Sequence, residues 1–92
     1  MGNGAGLKEL QVVANAERVL AIELLAGAQA VEFLAPLEPG RGVGAARGFV
    51  RTLSERVRED RSLSADIERV AAAIRDGSLL DAVAVEVAEV TA

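Results

Sequence analysis

Residues 19–33 read VLAIELLAGAQAVEF, and this stretch decides the fold. Only Glu23, Gln29 and Glu32 interrupt a run of apolar or small residues. No Pro falls between Leu7 and Leu34, so the pattern predicts one helix over residues 7–34, about 42 Å long. A helix that is apolar nearly all round needs neighbours on several sides. A compact domain of this length has a radius of gyration near about 12 Å, so it is roughly 30 Å across. The helix should overhang its own domain. Such a run implies a tight oligomer or a piece of a larger body.

Within the run, Gly27 costs about 1 kcal/mol of helix propensity relative to Ala. Ala26, Ala28 and Ala30 surround it, and the expected return is close helix–helix approach. Each of Glu23 and Glu32 should meet an Arg or a helix N-terminus in the assembled protein. Gln29 should hydrogen-bond between helices, because a buried amide must be satisfied.

Outward from the run, residues 1–6 are Gly-rich and read as a flexible N-terminus, with residues 7–92 as one helical segment. Pro36 and Pro39 end the long helix, and residues 36–42 read as a loop. A second helix is expected over residues 43–58, with Val43, Ala46, Val50, Leu53 and Val57 as a narrow seam that Phe49 widens. Ser62 or Ser64 should cap a third helix, with Asp66 and Glu68 favoured near its positive end. Ile67, Val70, Ala71 and Ile74 form its apolar face, and Gly77 closes it. Ser78-Leu79-Leu80-Asp81 resembles a capping box for a last helix to about Val90. Val83, Val85 and Val87 also fit a strand, but no partner strand is visible elsewhere, so helix is the reading over residues 79–90. Leu79, Leu80, Val83, Ala84 and Val87 would be its face. The architecture is all-α: one long helix and two or three shorter ones, a fragment of a helical bundle.

Composition narrows the chemistry. Ninety-two residues make one domain at most, and 51% of them are hydrophobic. Ala and Val dominate, so burial brings modest stability. The net charge is −4, and the densest basic run, residues 47–61, is diluted by Glu55, Glu59 and Asp60. That argues against a nucleic-acid footprint. The chain has no His, Cys, Tyr or Trp. Imidazole base catalysis, thiol chemistry, His-ligated zinc and disulfides are thereby excluded from this chain. Cysteine usage fits a reducing, cytoplasmic setting. MGNGAG has neither the basic nor the apolar region of a signal peptide. The apolar run is too short, and carries too many carboxylates, for a membrane span.

Three constellations invite chemical readings. Gly40-Arg41-Gly42-Val43-Gly44-Ala45 matches the dinucleotide fingerprint, with Asp60 downstream. That mechanism needs a strand before the glycines, and here Pro36 and Pro39 precede them, so a flexible interhelix loop is the expectation. Gly2, Gly4 and Gly6 form a weaker pattern of the same kind. Glu23 and Glu32 at helical spacing could ligate a metal in a bundle, but the pattern requires His. Asp60-Arg61 followed by Asp66 reads as a charged turn with a local salt bridge rather than an ion-binding loop. Arg47, Arg51, Glu55 and Arg58 read as a solvated or interface face, with Arg51 and Glu55 spaced for an i,i+4 pair.

The order of these features resembles the C-terminal part of the histidine ammonia-lyase family, the aromatic amino acid lyases. The residues that carry the likeness are Asn15, Leu20, Ala21, Ile22, Glu23, Leu24, Leu25, Ala26, Gln29, Val31, Glu32 and Phe33. Pro36-Leu37, Ala46-Arg47, Val57, Asp60-Arg61 and Asp66-Ile67-Glu68 follow in the family's order, and Met1-Gly2 looks like the Met-Gly after its active-site acidic segment. The likeness covers about residues 1 to 80. It implies the tail of a lyase that eliminates ammonia from L-histidine to give urocanate, within a homotetramer built around long helices. The family's electrophile, methylidene-imidazolone, arises from an Ala-Ser-Gly triplet. No such triplet occurs here, nor any Tyr. No catalytic, cofactor-binding or metal-ligating residue is therefore assigned to this chain, and the expectation is a structural and assembly segment, inactive alone. Its implied partners are the rest of the subunit and further copies, with no nucleic acid and no membrane. Arg58-Glu59 stand where the family is often aromatic, and a Gly-rich loop replaces a polar connection. A phenylalanine or tyrosine lyase or aminomutase tail, or a free-standing helical oligomerisation module, are the alternatives.

Overall fold

The computed structural model describes the backbone of residues 2–91 and the side chains of residues 6–88. It contains four helices in the order α1 (Gly2–Phe33), α2 (Arg41–Leu53), α3 (Ser64–Arg75) and α4 (Ser78–Thr91). No strand occurs among the described residues, and the helical reading of residues 79–90 holds. None of these helices is long and apolar enough to cross a membrane.

The packing is lopsided. α1 lies chiefly against α3 and α2 against α4, with lighter contacts joining α1 to α2, α3 to α4 and α2 to α3. Over the described residues α1 and α4 do not meet. The chain is a flat body of 54 × 41 × 16 Å with a radius of gyration of 15.4 Å. A compact chain of this size would have about 12 Å, so the overhang expected of the long helix is present. Leu7, Leu10, Val12 and Val13 on its N-terminal half are each more than half exposed.

One stripe of α1 is buried. Glu17, Ala21, Leu25 and Ala28 recur at helical spacing and face the core. Val50 of α2 and Val70 and Ala71 of α3 complete it, with Leu24, Leu53, Ile67, Ile74 and Leu79 packed around them. Val50 and Val70 are the largest fully buried side chains. A core this rich in Ala removes little apolar area from water, so it contributes modestly. The other sides of the 19–33 stretch are bare: Val19, Leu20, Ile22 and Phe33 are 48–70% exposed.

Several boundaries differ from the expectation. The helical backbone of α1 reaches back to Gly2 rather than Leu7. No Pro intervenes, and each Gly disfavours helix by only about 1 kcal/mol. α2 starts at Arg41, with Gly40 as its N-cap, and ends at Leu53 rather than Arg58. Beyond Leu53 the apolar seam thins to Val57 alone before Leu63, and side chains elsewhere capture the carbonyls that a longer helix would have used. Neither Ser62 nor Ser64 is the N-cap of α3, a position that Leu63 occupies. The capping box at Ser78 does not form. Ser78 is the first residue of α4, its N–H donates to the Asp76 carboxylate at 2.8 Å, and its hydroxyl donates to the Ala73 carbonyl. Gly77 closes α3 as expected, with φ of +83°. Gly27 does not mediate close approach within the chain, since a Cβ there would meet nothing within 4 Å.

Candidate functional site

The densest chemistry lies where the connection between α2 and α3 crosses α1. Gln29 projects from α1 onto the peptide of Val57, donating to its carbonyl at 3.0 Å and accepting its N–H at 3.3 Å. One turn further along, Glu32 receives Arg51 Nε at 2.5 Å and has Arg56 Nε at 3.4 Å. Arg51 also donates to the Ser54 carbonyl and to Gln29 Oε1. The Arg51 guanidinium holds the Glu32 carboxyl below the usual carboxylate range, with Arg56 and Arg47 adding to the effect. Arg56 also stacks over the Phe33 ring, 5.6 Å from its centre.

A second cluster centres on Asp66, which is 3% exposed. Arg61 clasps its carboxylate with two bonds of 3.0 and 3.1 Å. Arg69 adds a third at 3.1 Å, and the Ser54 hydroxyl donates a fourth. The Arg61 bonds, then the Ser54 bond, lower the Asp66 pKa to about 2. The same arginines reach the backbone: Arg69 donates to the Leu53 carbonyl and Arg61 to the Glu55 carbonyl, both at 2.7 Å. Four carbonyls from the last residue of α2 onward, those of Leu53, Ser54, Glu55 and Val57, are thus each taken by a side chain. The Leu53 carbonyl is one of the groups a helix C-terminus leaves without an intrahelical partner, and Arg69 satisfies it.

The expected site residues divide clearly. Glu32 meets arginines and Gln29 bonds between elements, as predicted. Arg61 and Asp66 form the predicted local salt bridge. Arg51 turns inward to Glu32 instead of pairing with Glu55, because Glu55 lies past the end of α2. Glu23 stays apart from Glu32, exposed on α1. Among the described residues no group of three or more carboxylates is placed to hold a metal ion. Gly40, Gly42 and Gly44 open α2 behind a loop, with no strand before them among the described residues, so the phosphate-cradling geometry is missing. A Cβ on Gly42 would instead meet Val87 of α4 at 3.8 Å. Ser54, Arg69 and the Glu17–Arg75 ion pair (3.0 Å, linking α1 to α3) were not anticipated. Met1 lies outside the described residues.

Asp66 is a poor acid–base catalyst. A group held near 2 by arginines is ionised and engaged at neutral pH, whereas proton transfer favours a pKa near the working pH. The residues that carry the family likeness instead tie elements together: Gln29 and Asp66 hold Val57 and Arg61 of the connection between α2 and α3, Glu32 of α1 holds Arg51 of α2, and Glu68 of α3 holds Arg18 of α1 at 2.8 Å.

Another feature is a groove of about 690 Å³ where α1 and α4 fail to meet, with Val50 and Ile74 among its lining residues. Leu20, Leu24, Val31, Val43, Leu80 and Val83 make its walls apolar, and Glu23 and Arg47 are its charged residues.

No family model matches the chain, and no solved structure matches it. Curated proteins do. The chain is 46% identical over 83 residues to the histidine ammonia-lyase of Myxococcus xanthus and 42% identical over 83 residues to that of Gloeobacter violaceus, in each case across 90% of the chain and 16% of the relative. The histidine ammonia-lyase of Sorangium cellulosum is 41% identical over the same 90% of the chain and 16% of its own length. The chain spans about one sixth of the length of these relatives. Over nearly all of its length, then, this chain matches a fragment of a histidine ammonia-lyase.

Proposed function

We propose that the chain is a structural and assembly segment of an ammonia-lyase, from the C-terminal part of the subunit, and that it has no catalytic activity alone. The observation that carries this reading is the role of the matching residues: Gln29, Glu32, Asp66 and Glu68 are spent on joining elements. The whole protein would eliminate ammonia from L-histidine to give urocanate, in the cytoplasm. The methylidene-imidazolone of the family does not fit this chain, because the Ala-Ser-Gly triplet that forms it does not occur in the sequence. The electrophile would come from another part of the subunit. The bare sides of α1 suit burial against the rest of that subunit and against further copies.

Two measurements test this. The purified chain, incubated with L-histidine, should release no ammonia, and turnover would overturn the reading. The genomic reading frame upstream of Met1 should stay open and encode Ala-Ser-Gly. An immediate stop codon would favour a free-standing helical oligomerisation module instead, a reading that the exposed Leu20, Ile22 and Leu80 also support.

A further inference from the structure

Glu32 sits among three arginines. Arg51 Nε donates to its Oε1 at 2.5 Å, and Arg56 Nε lies 3.4 Å from its Oε2. Both carboxylate oxygens are thus engaged. Arg47 is the third cation. It acts on Glu32 through space alone and forms no ion pair or hydrogen bond among the described residues. Arg47 and Arg51 are four residues apart on α2, so their Cβ atoms are about 5–6 Å apart, a spacing at which like charges repel. One acid among three guanidinium groups leaves positive charge in excess. Arg47 is also half-buried. It lines the groove between α1 and α4 beside Leu20, Val31 and Val43. Glu23, the other charged residue of that groove, is exposed on α1 and leaves the guanidinium unengaged.

We infer that Arg47 and the surplus charge around Glu32 form a binding site for one oxyanion, a carboxylate or a phosphate. The guanidinium supplies the chemistry. It presents its N–H donors as a planar fork that matches both ligands with two parallel bonds. A cation partly withdrawn from water is stabilised by such an acceptor. The apolar walls beside it keep water from one side of the bonds, and a lower local dielectric strengthens them. The neighbouring arginines favour the anion further. Arg51 is 20% exposed and Glu32 13%, so their charges are incompletely screened. A bound anion would relieve the repulsion that Arg47 now meets from Arg51 and Arg56. This site goes beyond the assembly role proposed above and does not depend on it.

The test is calorimetric titration of the purified chain at constant ionic strength, with inorganic phosphate in one arm, acetate in a second and chloride as the control. At least one oxyanion should bind once per chain, with a Kd of about 1 mM or lower. Its presence at ten times that Kd should raise the thermal midpoint by roughly 5 °C or more. Tighter acetate binding assigns the site to a carboxylate, and tighter phosphate binding to a phosphoryl group. Arg47→Gln should weaken binding by about tenfold or more, and Arg47→Lys, which keeps the charge but loses the fork, by less. Both variants should keep the helical circular dichroism of the wild type, since Arg47 holds nothing in the fold. Three results overturn the proposal. One is that neither oxyanion binds beyond chloride at about 10 mM, ten times the expected Kd. Another is binding that Arg47→Gln leaves unchanged. The third is an unfolded Arg47→Gln, which would mean that Arg47 already has a counter-ion within the chain. None of these outcomes touches the lyase reading, which the upstream reading frame decides.

Discussion

Gln29 grips the peptide of Val57 at both ends, as a neighbouring strand would, across 28 positions of sequence. The clamp fixes the extended connection against α1 and lets Arg51 join from the side. Gln29→Leu keeps the bulk but leaves a backbone donor and acceptor unmade. The expected loss is about 1–3 kcal/mol, read as a lower urea midpoint with an unchanged m-value. An unaltered midpoint would mean that water replaces the amide without penalty.

The Asp66 cluster makes a pH prediction. Its carboxyl is lowered from 3.8 in the unfolded chain to about 2 in the fold. A depressed folded pKa adds stability that is complete above the unfolded value and is lost as pH falls through the folded value. Stability should therefore decline between roughly pH 4 and 2, by about 1–2 kcal/mol from this group, with Glu32 adding to the fall in the same direction. Asp66→Asn should flatten that part of the profile. It should also lower neutral-pH stability by about 2–3 kcal/mol, as Arg61 and Arg69 lose their shared anion. Urea titrations at a series of pH values separate the two effects.

How much of this could be read beforehand depends on distance along the chain. Pro36, Pro39 and Gly77 mark helix ends locally, because missing donors and positive φ act at the residue itself. Glu32 in an apolar run implied an Arg, and Arg51 is that Arg. The end of α2 was harder. No Gly or Pro follows Leu53, and the stop is enforced by Arg69, Arg61 and Gln29, which arrive from other helices and from the connection itself. The thinning of apolar residues between Leu53 and Leu63 was the one local sign. The pairing of Ser54 with Asp66 depended on that same end, since a helix to Arg58 would have carried Ser54 elsewhere. The groove was visible only as a surplus, an α1 with more apolar sides than the chain has helices to cover.

The core is thin enough for one methyl pair to matter. Val50 is 1% exposed and meets the α1 and α3 faces. Val50→Ala removes two methyl groups and leaves a void, with an expected loss of about 2–3 kcal/mol. Few domains of this size hold more than about 5–10 kcal/mol. The thermal midpoint should fall by about 10 °C or more. A shift of only a degree or two would mean that the helices close over the void.

Two glycines should respond in opposite directions. Gly77 has φ of +83°, where a Cβ is disfavoured, so Gly77→Ala should lower stability by about 1–2 kcal/mol. Gly27 lies inside α1 with nothing within 4 Å of a Cβ position. Gly27→Ala should therefore raise stability by about 0.5–1 kcal/mol through helix propensity alone, in thermal melts of the dilute monomer. An unchanged or lower midpoint would mean that the added methyl group meets a neighbour at Gly27 after all.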